Sequence, residues 1–381
     1  MNKEVKLEEI VEFVSGFAYP SSKFVIERNK DSIPIVRIQN VNSNENNFVY
    51  WNHDYKKQFI VNNGDILLSM SGDFKVIRWT KGMALLNQRV VKIIPGKNIN
   101  EDYLLFLIDS KIRELTKLGK KSIINNLSIA DLRSLKLVIP SYSQQVNLSA
   151  NLSKCLDIIN KRKSQIVALD KLIQSVFLEM FGNLKTNNKA WDVKEFDYFA
   201  KIDTKMTKDF QLYEELFHIG INNIEKNTGR IIDCIKVKDS HLISGKYIFN
   251  KKHIIYSKIR PYLNKVAMPE FEGLCSADAY PILVNDKVAT KTYIAFLLRS
   301  ETFLSHVSQN SSRTNIPKVN KNQIKSFKGV LPPLKLQILF EDKYREIEKQ
   351  KAKLIDAQIE MQAFYNSLFQ KAFQGELSYK K

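Results

Sequence analysis

Ile139-Pro140-Ser141-Tyr142-Ser143-Gln144-Gln145 and Leu331-Pro332-Pro333-Leu334-Lys335-Leu336-Gln337 decide the reading of this chain. Each places proline where a short apolar run ends and a long helical pattern begins. The first pattern runs to Phe181-Gly182-Asn183-Leu184, the second to Phe373-Gln374-Gly375-Glu376-Leu377. Pro140 and Pro332 are 192 residues apart, as are Gln145 and Gln337, Phe177 and Phe369, and Phe181 and Phe373. So long a period marks a duplicated unit of globular domain plus helix, not a solenoid of small repeats. Two alike modules suit a ligand with two halves, and duplex DNA read at two half-sites is the commonest such ligand.

The repeat extends upstream more weakly. Ile33–Val41 aligns with Leu216–Ile224, pairing Ile38 with Ile221 and Asn40 with Asn223. Gly64–Ser69 aligns with Lys252–Ser257, and Asp102–Phe106 with Thr292–Phe296. Asn126-Leu127-Ser128 sits where Asn315-Ile316-Pro317 sits. The blocks keep chain order, and small indels in loops account for the drifting offset.

The runs Ile33–Val41, Phe59–Val61, Asp65–Met70 and Val90–Ile94 predict strands, and Asp102–Leu118 a helix. In the second copy, Leu216–Ile221, His253–Tyr256 and Tyr280–Val284 predict strands and Thr292–Val307 a helix. The fold class is α+β: two tandem mixed modules, each followed by a long helix. The expected boundaries are residues 1–140, a central helix over 141–184, a second module over 185–331 and a C-terminal helix over 332–381.

From Ser143 to Phe181 there is neither glycine nor proline. Leu152, Ile159, Ile166, Ile173 and Met180 recur by sevens, with Cys155, Arg162, Leu169 and Val176 on the second seam position. Ile347, Leu354, Met361 and Leu368 repeat the pattern, with a poorer second seam at Lys351 and Gln358. Such a/d heptads predict helices with a coiled-coil partner. Two on one chain most simply pair with each other, antiparallel, each spanning roughly 60 Å.

Lys and Arg number 59 against 40 Asp and Glu, a formal charge of +19. That excess favours a polyanionic partner. Three scattered cysteines without a CxxC pair argue against a disulfide framework and against zinc, and fit a reducing cytoplasm. No apolar run is long enough for a membrane span, and no apolar signal core follows the N-terminus. There is no Walker loop, no G-x-G-x-x-G, no Asn/Asp-Pro-Pro-Tyr/Phe stretch and no H-E-x-x-H. Glu341-Asp342-Lys343 has a nuclease-like E-x-K form but no nearby strand aspartate, and Asp239-Ser240-His241 lacks a G-x-S-x-G partner.

Lys and Arg make phosphate contacts, and Arg, Asn and Gln read base edges. In the first module the candidates are Ser71, Lys75, Arg78 and Arg89, the last within Asn87-Gln88-Arg89, with Lys120 and Lys121 further on. In the second they are Lys258, Arg260 and Lys265, with Arg313.

This layout resembles the specificity (S) subunit of type I restriction–modification systems. The Pro-Ser-Tyr-Ser-Gln-Gln and Pro-Pro-Leu-Lys-Leu-Gln joints and the long helices carry the resemblance. So do Asn126–Leu132, Asn315–Val319 and the ending Lys371–Leu377, of which Phe181–Leu184 is a degenerate copy. Ser141 and Tyr142 depart from the family's Pro and Leu, which costs some rigidity at that joint. The resemblance implies that each module is a target recognition domain reading one half of a bipartite site. It implies that the paired helices set the spacing and dock methyltransferase subunits, likewise that restriction subunits join the complex, and that this chain has no active site. S-adenosylmethionine, ATP and Mg2+ would then serve the partners. A coiled-coil adaptor without DNA specificity, and a nuclease or methyltransferase with an unrecognised site, remain as alternatives.

Overall fold

Both prolines stand between a short strand and a helix. In the computed structural model, which describes residues 3–72, 74–117, 128–308 and 317–373, the strand Lys136–Ile139 precedes Pro140 and the strand Lys328–Leu331 precedes Pro332. The helices that follow, Tyr142–Phe181 and Leu334–Phe373, are 40 residues each. The chain divides into two compact units, residues 1–161 with 357–381, and residues 162–356. Each unit therefore takes one half of each long helix as well as its globular module.

In the first unit, Val11–Ser15, Val90–Pro95, Ile66–Ser69 and Val76–Arg78 form an antiparallel sheet in that spatial order. Its inner strand Ile66–Ser69 is buried throughout, because one face meets the helix Glu101–Lys117 and the other a second sheet. That second sheet runs Val49–Trp51, Ile33–Val36, Ala84–Leu86, Ile60–Val61, with a parallel pair at its centre. Leu68, Val91, Tyr103, Leu104 and Leu107 fill the sheet–helix layer, and Val36, Leu67, Trp79 and Leu86 the sheet–sheet layer. A two-stranded ribbon, Lys3–Lys6 with Lys136–Ile139, leads into the central helix.

The second unit repeats this order. Ala200–Ile202, Ala279–Val284, His253–Ser257 and Val266–Ala267 form one sheet. Ile235–Lys236, Phe217–Ile219, Gly273–Cys275 and Lys246–Phe249 form the other, extended by Met206–Thr207. The ribbon is Asp192–Glu195 with Lys328–Leu331. The central pair is again parallel, with Ile219 opposite Cys275 as Val36 is opposite Leu86.

Each unit also repeats one way of holding its helices. Gln145 is 1 % exposed; it accepts the Asn100 amide at 2.8 Å and donates to the carbonyl of Pro140 at 3.0 Å. Gln337, fully buried, accepts the Thr290 amide at 3.0 Å and donates to Pro332 at 2.8 Å. At the far helix ends, Phe369 and Phe373 meet Phe106 and Tyr103, with ring centroids 6.5 and 5.5 Å apart. Phe177 and Phe181 meet Phe296 and Tyr293 at 5.1 and 4.9 Å.

Side chains of the two long helices pack on each other within each unit. In the first, Leu152, Cys155 and Ile159 cluster with Met361, Tyr365, Leu368 and Phe369. In the second, Ile173, Phe177 and Phe181 pack with Phe340, Tyr344 and Ile347. Phe181 lies 5.4 Å from Phe340 while Asp170 lies 2.5 Å from Lys351, so the segments run antiparallel. Ile166 and Leu354 are half-buried. The weak seam position Lys351 is 5 % exposed, its ammonium held by Asp170 and, at 3.1 Å, by Glu348.

Three expectations need correction. Ile33–Val41 is a strand only to Val36, and a helix over Ile38–Asn42 follows; Leu216–Ile221 likewise gives a strand over Phe217–Ile219, then a helical turn. Asn40 and Asn223 end these strands, each accepting the backbone amide three residues upstream at 2.9 Å. The helix expected over Thr292–Val307 is two, Lys291–Arg299 and Glu301–Ser308. Ser300 breaks it in an extended conformation, its hydroxyl accepting the Phe303 amide. Ser141 caps the central helix: it accepts from the Gln144 amide while Gln144 Oε1 takes the Ser141 amide and hydroxyl, a reciprocal cap.

Candidate nucleic-acid interface

The parallel strand pair creates a frame that both units share. In the first, the Asn87 amide donates to Val36 at 3.3 Å, Val90 donates back to Asn87 at 2.9 Å, and Met70 donates to Arg89 at 2.9 Å. In the second, Ser276 donates to Ile219 at 2.9 Å, Ala279 to Ser276 at 3.0 Å, and Lys258 to Asp278 at 3.0 Å. Arg37 thus corresponds to Gly220, Gln39 to Asn222, Gln88 to Ala277 and Arg89 to Asp278. Asn40 and Asn223 are structural in both: their carboxamides also donate to the Glu45 and Asn47 carbonyls, and to those of Ile232 and Asp233.

In the first unit this frame borders a concavity of about 290 Å³. Arg37 and Gln39 reach it from the end of the strand Ile33–Val36, and Asn87, Gln88 and Arg89 from the turn after Ala84–Leu86. Tyr19 forms an aromatic wall, 4.9 Å from Trp51 and 5.0 Å from Phe17, and burial pushes its hydroxyl up to about 12. Gly16 permits the approach of this wall, since a Cβ there would lie 2.0 Å from the Asn87 carbonyl. Phe17 then donates its amide to the Leu86 carbonyl and accepts the Gln88 amide, both at 2.9 Å.

The residues expected to touch DNA fall into different surroundings. Arg89 lies on this concavity and is exposed. Ser71 and Lys75 tie a turn to the helix Ile38–Asn42, through the Ser71 carbonyl to Asn42 at 3.2 Å and Lys75 Nζ to the Asn42 carbonyl at 3.3 Å. Arg78 is not a free donor: it bonds the Gly64 carbonyl at 2.9 Å, Glu101 at 3.0 Å and Asp102 at 2.7 Å, bracing the sheet to the helix behind it. Lys265 is spent on the Ile221 carbonyl at 2.7 Å. Lys258 lies 5.1 Å from the Tyr280 ring, and burial lowers its ammonium pKa. Arg260 is exposed, with its backbone held at a φ of 50° by a bond to Pro317. Lys120, Lys121 and Arg313 lie outside the described residues.

Sequence reasoning missed Arg37 and Gln39 because they were read as strand. The signal was Asn40, whose side chain ends the strand locally.

In the second unit the corresponding positions carry little positive charge of their own. Asp278 lies 3.7 Å from Lys318, and its charge is felt at Lys246 and Lys258. His218, beneath this frame, is driven to about 4 by burial and then by the Lys246 cation.

The motifs that hinted at chemistry make hydrogen bonds to neighbouring elements. Glu341 accepts from Thr292 Oγ1 at 3.1 Å and pairs with Arg345 at 3.0 Å. Ser240 Oγ donates to the Lys236 carbonyl at 2.7 Å. A larger concavity in the second unit, about 650 Å³, includes Asp170, Glu348, Lys351 and Arg299. Lys351 bonds both Asp170 and Glu348, and the guanidinium of Arg299 is held by the Val266 carbonyl. Among the described residues no three His, Cys, Asp or Glu side chains gather as a metal site, and no helix is long and apolar enough to cross a membrane.

The chain is 29 % identical over 356 residues to the specificity subunit of the type I restriction enzyme EcoDI of Escherichia coli, covering 82 % of this chain and 78 % of that protein. It is 23 % identical over 193 residues to the EcoBI specificity subunit of the same organism, covering 50 % of this chain and 40 % of that protein. Its fold matches the S subunit of a type I restriction–modification system from M. genitalium with a TM-score of 0.61 at 11 % identity, over 98 % of this chain and 96 % of that one. A chain from a structural study of the assembly and conformational transition of the type I R-M system matches with a TM-score of 0.53 at 13 % identity, over 99 % and 98 %. The type I restriction modification DNA specificity domain is matched twice, over residues 2–168 and 188–356, each match taking in one strand-end frame, and the chain belongs to that family.

Proposed function

We propose that this chain is the sequence-reading subunit of a type I restriction–modification assembly, in which each module reads one half of a bipartite duplex and the long helices set the spacer. One observation carries this reading: two modules of the same strand order present unlike side chains on matching backbone frames. Arg37, Gln39, Gln88 and Arg89 stand in one where Gly220, Asn222, Ala277 and Asp278 stand in the other. A shared frame with exchanged side chains suits two independent readers of different half-sites. The charge of +19 supplies attraction to phosphates.

In this reading the chain performs no chemistry. Adenine methylation with S-adenosylmethionine belongs to methyltransferase subunits, and ATP- and Mg2+-dependent restriction to further subunits. Apolar side chains facing outward from the long helices support docking of such partners: Val167 is 53 % exposed, Leu178 57 %, Ile359 63 % and Phe364 58 %. The test is duplex binding by the chain with its methyltransferase subunits across a salt series. If about six phosphates are neutralised, affinity falls by orders of magnitude from about 50 to 200 mM salt. An affinity indifferent to salt would refute DNA recognition and favour a protein-binding adaptor.

A further inference from the structure

We propose that the concavity bounded by Tyr19, Arg37, Gln39, Asn87, Gln88 and Arg89 is the base-reading pocket of the first unit, and that Arg37 and Arg89 select guanine there. The inference rests on the DNA-reading function proposed above and names the chemistry of one of its sites.

Its surroundings leave donors unused. Among the described residues, the Nε of Arg37 and the hydroxyl of Tyr19 have no hydrogen-bond partner. Orphaned buried donors are costly and uncommon, and call for a ligand or another explanation. Among the described residues, no acidic side chain lines the concavity. Its positive charge is therefore unneutralised locally, unlike that of Arg78, which two carboxylates hold.

The mixture of groups favours a base edge over a phosphate. A phosphate offers acceptors alone and would use only the amide nitrogens of Gln39, Asn87 and Gln88, leaving their carbonyl oxygens without a role. Base edges carry donors and acceptors together. Guanine presents O6 and N7 to the guanidinium fork, and adenine presents N6 and N7 to a carboxamide. Two arginines beside three carboxamides fit a purine-containing half-site with at least one guanine. The corresponding positions of the second unit, Gly220, Asn222, Ser276, Ala277 and Asp278, hold no arginine, so the guanine contact made from this frame belongs to the first unit.

The test is selection from a duplex library randomised over both halves, using the full chain assembled with its methyltransferase subunits. The wild-type assembly should enrich a bipartite motif with guanine fixed in one half. Arg37→Ala and Arg89→Ala should each reduce that guanine preference by about ten- to a hundredfold and leave the other half unchanged. Gln88→Ala, at an exposed position whose side chain makes no hydrogen bond among the described residues, guards against a folding artefact, and should relax a neighbouring base while the melting temperature holds. A uniform loss of affinity across all sequences would make the arginines phosphate clamps and overturn the proposal. An unchanged motif in all three variants would also overturn it, yet leave DNA reading by this chain intact. A wild-type assembly that enriches no motif would defeat both.

Discussion

Gln145 accepts the backbone amide of Asn100 at 2.8 Å, joining the start of the central helix to the cap of the helix Glu101–Lys117. Gln337 does the same for Thr290. The glutamine five residues after each proline is thus a buried bracket, with one acceptor and two donor bonds: to Pro140 and Asn98 in the first unit, and to Pro332 and Val288 in the second. Replacing either glutamine by alanine strands these partners away from water. Each loss should cost about 1–3 kcal/mol or more. Gln337→Ala should cost more, because its bonds to Thr290 and Pro332 are buried. Thermal melting of both variants checks this, and equal melting with the wild type would contradict it.

Arg78→Ala should change stability slightly and specificity not at all. Its carboxylate partners are more than half exposed, so the pairs contribute only about 0–1 kcal/mol. The small loss should shrink at high salt. A variant that altered base preference would show Arg78 to be a reader after all.

Lys351 has a buried ammonium within a helix seam. Lys351→Ala removes both its bonds and its packing stem, leaving Asp170 and Glu348 close together, and should destabilise by at most about 3–5 kcal/mol, less because both carboxylates are partly solvated. The pair Lys351→Met with Asp170→Asn should restore much of that loss, since an apolar replacement of similar volume removes the desolvation cost. Denaturant titration of single and double variants reads the coupling; purely additive effects would exclude it.

His218 should make the second unit acid-sensitive. Burial, then Lys246, lower its folded pKa to about 4, against an ordinary value of 6.5. The unfolded chain therefore binds the proton first, so stability is full above about pH 6.5 and falls toward pH 4. The loss is at most ~3 kcal/mol, and less where solvent still reaches the ring. Ile35 holds the corresponding place in the first unit, since it faces Leu85 as His218 faces Leu274. His218→Ile should flatten the acid limb of the melting profile between those two pH values. An unchanged profile would assign the acid sensitivity to other groups.

Inserting one heptad after Ile159 together with one after Met361 should preserve the seam positions. It lengthens each helix by about 10 Å, near three base-pair steps of duplex. The selected spacer should lengthen correspondingly. A folded, tightly binding insertion variant that keeps the original spacer would show that the helices do not act as a ruler.

The duplication was legible because its marks are local. The Pro…Gln spacing, the heptads and the aromatic helix ends are each set within a few turns of chain, and the structure uses them in both units. Strand ends were less legible. Ile33–Val41 is apolar and β-branched enough to read as one strand, and only the hydrogen bond from the Arg37 amide to Asn40 stops it at Val36. The helix break at Ser300 was hidden for a like reason: apolar spacing continues on both sides of a serine that caps from within.

The sequence by itself determined two mixed modules, two long helices and a strongly basic chain, because periodicity and charge are properties of the chain alone. Only the tertiary structure decided which basic residues are free to meet a ligand. Arg78 and Lys265 read as candidates but are held by neighbours distant in the chain. Arg37 and Gln39, unremarked in the sequence, reach one concavity with Arg89 because Ile33–Val36 and Ala84–Leu86 lie side by side in parallel. That pairing joins segments with several strands between them, and no local pattern encodes which side chains such a long-range contact brings together.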